Sequence, residues 1–244
     1  MCTVTYISKP NGFCLTSSRD EKVFRPTIAP DYYNIDGDTL LYPKDLLAGG
    51  TWIAVSKKER LACLLNGAFK KHQKQETYSR SRGTVLLESF TYQNILSFIY
   101  KVNLVDVEPF TLLLIEHSNA VLTEFYELRW DGINKYLNKI DETISSIWSS
   151  STLYSEEITT QREILFKQWL EKYKEFPDNN ILNFHNQKHG LDNKDDLIME
   201  RDNGLKTLSI SQIIVESGLI TFNYHNLEER KIYKKSFQPF EYYA

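Results

Sequence analysis

The chain has 244 residues, of which 41% are hydrophobic and 25% are charged, and these proportions are typical of a soluble globular protein. A chain of this length can bury a substantial core without disulfides or a structural metal. Its formal net charge of −3 lacks the basic excess of a nucleic-acid-binding protein, so no nucleic-acid partner is predicted.

The cysteines and the lengths of the apolar runs indicate in which cellular compartment the protein is expected. Cys2, Cys14 and Cys63 have no paired spacing, which argues against a disulfide framework and favours a reducing compartment. The first twenty residues lack the basic and apolar segments of a secretory signal. The longest apolar runs are far below the ~20 residues that cross a bilayer. We therefore expect a cytoplasmic protein without a membrane span.

The first half of the chain is predicted to form short strands joined by turns. The runs TVTYIS and FCLTSS flank Lys9-Pro10-Asn11-Gly12, which is a strong turn signal. The runs GTWIAVS and RLACLLN flank the polar turn Lys57-Lys58-Glu59 and predict a second hairpin. From Ser81 to Val102 the pattern becomes helical, with a break near Thr91-Tyr92.

The second half mixes strands with one long helix. FTLLLI predicts a strand buried on both faces, and EFYELRW alternates as a strand does. Residues 158–175 have apolar side chains at helical spacing and stop before Pro177. Residues 177–204 are rich in Asn, Asp and Gly, which predicts a mobile loop or lid. LKTLSISQIIV and LITFNYH predict two closing strands, and KIYKKSF predicts an edge strand.

The order of strands, helices and strands favours a single α+β domain over residues 1–244. Its sheets are expected to be antiparallel, with the helices outside them.

The turn chemistry of the first hairpin fixes its register. If Pro10 and Asn11 occupy the turn, Lys9 pairs with Gly12 and Cys2 lies opposite Arg19. A one-residue bulge would move that partner to Ser18 or Asp20. In each case the hairpin is expected to bring an Arg-Asp pair beside a thiol.

A thiol at this position suggests nucleophilic catalysis. After removal of Met1, Cys2 would carry a free α-amine with a pKa near ~8, which can accept the thiol proton. Arg19 would favour the thiolate, and Asp20 would orient the amine. The alternative is that a cysteine at position 2 is an accident of a disordered terminus and that RDE is a surface run.

The motifs MCTVTYI, SSRDE, AGGTWIAVS, CLLNGAF and SRGTVLLE occur in this order. Together they resemble the NRDE family, also named after Transport and Golgi organisation protein 2. The resemblance covers nearly the whole chain. It implies the fold of amino-terminal-nucleophile (Ntn) hydrolases, an αββα four-layer sandwich of two antiparallel sheets.

The resemblance also implies roles for individual residues. Cys2 falls at the nucleophile position, and Arg19 and Asp20 match the family signature, whose leading Asn is Ser18 here. Asn66 resembles an asparagine that helps to form an oxyanion hole, although a turn residue before Gly67 is equally expected. Ser151 stands where some members have an asparagine, or else Ser150 and Ser151 cap the helix that follows.

Two further candidates lie near glycines and a predicted helix start. Gly49-Gly50 is favoured as a tight backbone approach, and Trp52 beside it is a candidate for lining a substrate pocket. Arg82 begins a predicted helix, which favours a buried ion pair over an anion site. His185 and His189 have the spacing of helical zinc ligands but lack an adjacent Glu, so no metal is predicted.

The leading hypothesis is an Ntn-type cysteine hydrolase or acyltransferase acting on a small amide, thioester or other acyl compound, without a cofactor. The alternative is a non-catalytic carrier of a hydrophobic ligand, which the family's association with lipid or haem handling implies. A third possibility is a cleft that serves only a protein partner.

Overall fold

The computed structural model describes residues 3–173 and 178–239, which form two antiparallel β-sheets. The strands of the first sheet are β1 Thr3–Lys9, β2 Gly12–Lys22, β10 Ser146–Ser149, β11 Leu205–Glu216, β12 Leu219–Asn226 and β13 Lys231–Phe237. They lie in the order β10-β1-β2-β11-β12-β13. The amino-terminal hairpin is therefore near the middle of this sheet.

The second sheet has seven strands in chain order. They are β3 Thr27–Ile35, β4 Asp38–Asp45, β5 Ile53–Ser56, β6 Arg60–Asn66, β7 Phe110–Ser118, β8 Val121–Trp130 and β9 Lys135–Lys139. Each strand pairs with its neighbours in the chain, which makes this sheet a meander, and the connection from β6 to β7 carries the two helices Arg82–Glu88 and Ile95–Lys101.

Strand alternation divides the apolar residues among three clusters. On β2, Phe13 and Leu15 point between the sheets, whereas Cys14 points to the outer face of the first sheet. On β7, Leu113 lies between the sheets and Leu112 on the outer face of the second. Both faces of these strands are buried, which is why FTLLLI is a continuous apolar run.

Helices cover both outer faces. Helices α1 (Arg82–Glu88) and α2 (Ile95–Lys101), joined by a 3-10 turn, pack on the second sheet. Helices α3 (Glu156–Lys172) and α4 (Asp178–His185) pack on the first. Ser155 caps α3 by accepting a hydrogen bond from the amide of Ile158, at 3.3 Å. The predicted αββα sandwich is confirmed.

The first hairpin has the register that its turn predicts. Lys9 pairs with Gly12, and the ladder runs without a bulge to Thr3, which pairs with Ser18. A Cβ atom on Gly12 would lie 1.9 Å from the carbonyl oxygen of Val215, so only glycine fits there. Cys2, the next residue of the predicted ladder, lies outside the described residues.

Sequence analysis missed four strands, β3, β4, β9 and β10. The turn between β3 and β4 contains Asp36-Gly37, with φ values of 49° and 74°, and an Asp-Gly pair with positive φ at both positions is a hairpin signal. Pro30 and several exposed residues concealed β3. It is an edge strand, where proline is tolerated.

The expected loop or lid over residues 177–204 is wrong in part. Residues Asp178–His185 form α4, and Ile181, Phe184, Leu197 and Met199 are buried against the first sheet or its helices. The average composition of the segment did not reveal these buried residues, because they are few and are separated by polar residues.

Candidate active site

Arg19 extends from β2 into the space between the two sheets. Its side chain is 3% exposed, and its Nη2 donates to Asp45 Oδ2 at 3.0 Å. The guanidinium carbon lies 4.8 Å from the centroid of the Trp52 ring. The buried guanidinium is thus held by a carboxylate and an aromatic face.

Asp45 binds groups from several segments around Arg19. Its carboxylate also accepts from Arg25 Nε at 2.6 Å and from the amides of Leu47 and Ala48. Burial alone would raise the pKa of the Asp45 carboxyl. The hydrogen bond from Ala48 and the charges of Arg25 and Arg19 outweigh burial and hold this pKa below its usual value. No sequence pattern pointed to Asp45, because its partners come from other segments.

Asp20 leaves the opposite face of β2. Its Oδ2 accepts from the Tyr154 hydroxyl at 2.8 Å, and its Oδ1 accepts from Thr207 Oγ1 at 2.6 Å. The side chain is 2% exposed. Thr207 lies at a β-bulge of β11. Asp20 therefore does not line the cleft that Arg19 lines, although both carboxylate oxygens are precisely held.

A cleft of about 430 Å³ opens beside Arg19. Four of the residues singled out in the sequence line it, namely Arg19, Trp52, Asn66 and Arg82. Its walls carry both arginine and carboxylate side chains. Four sequence candidates from four separate motifs therefore meet around one cavity.

Asn66 ends β6 and precedes Gly67, whose φ is +81°. Its backbone carbonyl accepts from Ser150 Oγ at 2.8 Å. Within the described part of the chain, its side-chain amide has no hydrogen-bond partner. Asn66 is thus a turn residue that also lines the cleft.

Trp52 is 3% exposed and borders the same cleft. Its indole Nε1 is buried and has no hydrogen-bond partner among the described residues. Of the two preceding glycines, Gly50 serves packing, because its Cβ atom would lie 2.4 Å from the carbonyl carbon of Gly83 at the start of α1, whereas Gly49 has open space around it and a φ of 70°. The predicted close backbone approach is confirmed.

Arg82 forms an ion pair with Glu108 at 3.1 Å, and its Nη1 donates to the carbonyl of Pro109 at 3.3 Å. Burial lowers the pKa of Arg82, and the carboxylate of Glu108 opposes that effect. The expected ion pair at this helix start is confirmed. The guanidinium still lines the cleft.

Ser151 borders a second cavity of about 810 Å³ rather than the first. Its hydroxyl oxygen is buried, without a partner in the described ranges, and lies 2.4 Å from where a Cβ atom on Gly67 would be. Ser151 therefore lies on the other side of the Asn66–Gly67 segment. Neither Ser150 nor Ser151 caps α3, because Ser155 does so.

His185 and His189 do not form a metal site. Both ring nitrogens of His185 are hydrogen-bonded, Nδ1 to Ser18 and Nε2 to Thr5, each at 2.8 Å. Burial and the charge of Arg162 lower the pKa of His185 to about 3. Over residues 3–173 and 178–239, no cluster of three potential metal ligands was found.

The family model for Transport and Golgi organisation 2 matches residues 1–223. The chain belongs to this family. The resemblance to the NRDE family is thereby confirmed. No curated protein matches the sequence. None of the helices in the described ranges has the length and apolar character needed to span a membrane.

Solved structures with the same fold are Ntn hydrolases. A mutant of conjugated bile acid hydrolase from Clostridium perfringens superposes with a TM-score of 0.58 at 8% identity, covering 96% of this chain and 92% of that chain. The Caenorhabditis elegans ortholog of N-acylethanolamine-hydrolyzing acid amidase gives 0.59 at 8% identity, covering 88% and 92%. A second variant of the Clostridium enzyme gives 0.51 at 8% identity over both full lengths. At this identity the similarity establishes the fold alone.

Proposed function

We propose that this protein is an amino-terminal-nucleophile cysteine hydrolase or acyltransferase. Its substrate is a small amide, thioester or other acyl compound, and its nucleophile is Cys2. The observation that carries the proposal is the meeting of Arg19, Asn66 and Trp52 at one cleft, beyond the Thr3–Ser18 pair at the open end of the first hairpin. The Ntn-hydrolase fold supports it.

The register of the hairpin supports the position of the nucleophile. Thr3 pairs with Ser18 on one side and with Ser149 on the other. If the same register continues by one residue, Cys2 lies beside Arg19. Residues paired across an antiparallel ladder point to the same face, and Arg19 points into the cleft.

The reaction follows from these groups. The α-amine of Cys2 takes the thiol proton, and the sulfur forms a bond to the substrate carbonyl carbon. The developing oxyanion accepts a hydrogen bond from the amide of Asn66. The ammonium returns its proton to the leaving amine or thiol as the carbonyl–leaving-group bond breaks, which leaves a thioester on Cys2. Attack by water or by a second acceptor releases the acyl group and regenerates the thiol.

The other cleft residues have supporting roles in this proposal. Arg19 stabilises the thiolate, since a neighbouring guanidinium favours the charged form of a thiol. Trp52 and Arg82 contact the substrate, and the Nε1 of Trp52 is a donor without a protein partner in the described ranges. Ser151 lies outside this cleft, at the second cavity.

A screen of acyl substrates tests the proposal. Esters, amides and thioesters of varied chain length are incubated with the wild-type protein and with Cys2→Ala. Intact mass first establishes that Met1 is absent. Turnover by the wild type that is lost in Cys2→Ala, together with a mass increase of one acyl group, supports the enzyme. Tight binding of a hydrophobic ligand without turnover, unchanged in Cys2→Ala, supports the carrier instead.

A further inference from the structure

Arg162 of α3 is a fully buried cation on the helix side of the first sheet. Among the described residues it has no carboxylate partner. It donates instead to Thr3 Oγ1 at 2.6 Å and to the carbonyls of Asp195 and Asp196 at 2.6–3.1 Å. A buried charge is costly to keep unless its hydrogen bonds are satisfied. The arrangement therefore ties the first described residue of β1 to α3.

The ring of Tyr154 lies directly against this guanidinium, 3.6 Å from its central carbon to the ring centroid. The hydroxyl of the same tyrosine donates to Asp20. Two buried opposite charges, Arg162 and Asp20, thus lie on either side of one aromatic side chain. The cation contacts the ring and the carboxylate accepts from its hydroxyl, so one tyrosine side chain connects the two buried groups.

Thr207 completes the cage around Asp20 from a different strand. Its hydroxyl donates to Asp20 Oδ1 and accepts from the amide of Met199. Tyr154 precedes α3, whereas Thr207 lies at the bulge of β11. Two elements far apart in sequence thus each bind one oxygen of the carboxylate, which fixes its orientation.

We propose that Arg162, Tyr154 and Thr207 are positioning residues of the candidate active site. They hold the carboxylate of Asp20 and the first residues of β1 in the geometry that Cys2 requires. This inference rests on the proposed function. An amine that must take a proton from a neighbouring thiol depends on orientation, and small displacements are costly in rate. Residues on the helix side of the first sheet, rather than residues of the cleft, set that orientation.

The first experiment compares alkylation of Cys2 by iodoacetamide in matched variants. Tyr154→Phe and Thr207→Val each delete one hydrogen bond to the carboxylate, and Thr207→Ser keeps the hydroxyl. Tyr6→Phe is the control, because Tyr6 also lies in a buried site and donates to a single oxygen, the carbonyl of Glu142. We expect the first two variants to react about tenfold more slowly, because each removes a hydrogen bond that orients the Asp20 carboxylate and small displacements are costly in rate. Thr207→Ser and Tyr6→Phe should stay within about twofold of the wild type.

The second experiment does not depend on the thiol. Arg162→Lys keeps the charge but loses the planar fork that bonds to several oxygens at once. Amide hydrogen exchange should become faster at the Thr3–Ser18 end of the first hairpin and stay unchanged at its Lys9–Gly12 end. Unchanged exchange at both ends would overturn the positioning role.

The two readouts separate the possible failures. If wild-type Cys2 is no more reactive than a free thiol but Arg162→Lys speeds amide exchange at the Thr3–Ser18 end, the proposed function fails. The role of Arg162 in holding β1 then still stands. If Cys2 is reactive and Tyr154→Phe behaves like Tyr6→Phe, the proposed function stands and the positioning proposal is overturned.

Discussion

Replacement of Arg19 by methionine tests the buried ion pair at the floor of the cleft. The change removes a hydrogen bond of 3.0 Å to Asp45 and a cation–π contact with Trp52, and it keeps most of the apolar volume. A hydrogen bond to a charged group contributes about 1.5–3 kcal/mol, and a cation–π contact about 0.5–2 kcal/mol. Relief of guanidinium desolvation offsets part of this loss.

Asp45 is not left unpaired by this change, because Arg25 and two amides still bind it. We therefore expect the free energy of unfolding to fall by about 1–3 kcal/mol, less than for removal of the sole partner of a buried charge. Urea unfolding monitored by tryptophan fluorescence measures the loss. In a chain of this length each kcal/mol lowers Tm by about 2–4 °C.

Arg25→Met is the matched control, because Arg25 binds the same carboxylate but its side chain is 34% exposed. It should cost less than about 1 kcal/mol. A double-mutant cycle of Arg19→Met with Asp45→Asn should show a coupling of about 1 kcal/mol or more. Equal, small effects of the two arginine variants and strict additivity would refute the buried-pair argument.

Three further changes test the packing and the buried charges of the fold. Asp45→Asn should lower the free energy of unfolding at pH 7 and make it depend less on pH in acid. The reason is that a carboxyl whose pKa is held low stabilises the fold until the pH falls through that pKa. Urea titrations at pH 7 and pH 3 measure this, and an equal loss of stability between the two pH values in wild type and variant would contradict it. Burial lowers the pKa of His117 to about 4, so the unfolded chain takes up the proton first and stability falls between about pH 6.5 and pH 4. His117→Phe, which preserves the edge contact with Phe13, should remove that part of the slope in denaturant titrations; an unchanged slope would count against it. Gly50→Ala should cost about 1–3 kcal/mol by urea unfolding, because its Cβ atom would overlap the backbone of Gly83, and a neutral result would contradict this close approach.

The first hairpin was predictable because its information is local. A Pro-Asn-Gly turn sets which residues pair, and period-two alternation then assigns each side chain to a face. The pairing of Thr3 with Ser18 follows from these two rules, and so does the direction of the Arg19 side chain. The same alternation also places Asp20 on the other face, a consequence that sequence analysis did not draw.

The network around the cleft was not predictable in the same way. Asp45 belongs to the second sheet and binds Arg19 of the first sheet, and Tyr154, just before α3, binds Asp20. These contacts depend on how the layers stack, and no local spacing encodes them. Arg162 was hidden for another reason, since an arginine on an amphipathic helix is ordinarily solvated.

Strand detection failed where residues are exposed or where proline occurs. Strand β3 is an edge strand with Pro30 and outward-facing tyrosines, so its alternation is weak. Helix α4 was missed because its segment is mostly polar, and the few apolar residues that anchor it to the fold by their burial did not stand out.

The central claim is that Cys2 is an activated nucleophile, and its alkylation rate tests this most directly. The protein, with Met1 shown to be absent by intact mass, is treated with iodoacetamide near neutral pH and digested, and modification is quantified at each cysteine. Cys14 and Cys63 are buried and serve as internal references for slow reaction. The account predicts that Cys2 reacts faster than the cysteine of an unstructured peptide and that Arg19→Met slows it. A rate no faster than the peptide, unchanged in Arg19→Met, would contradict the account.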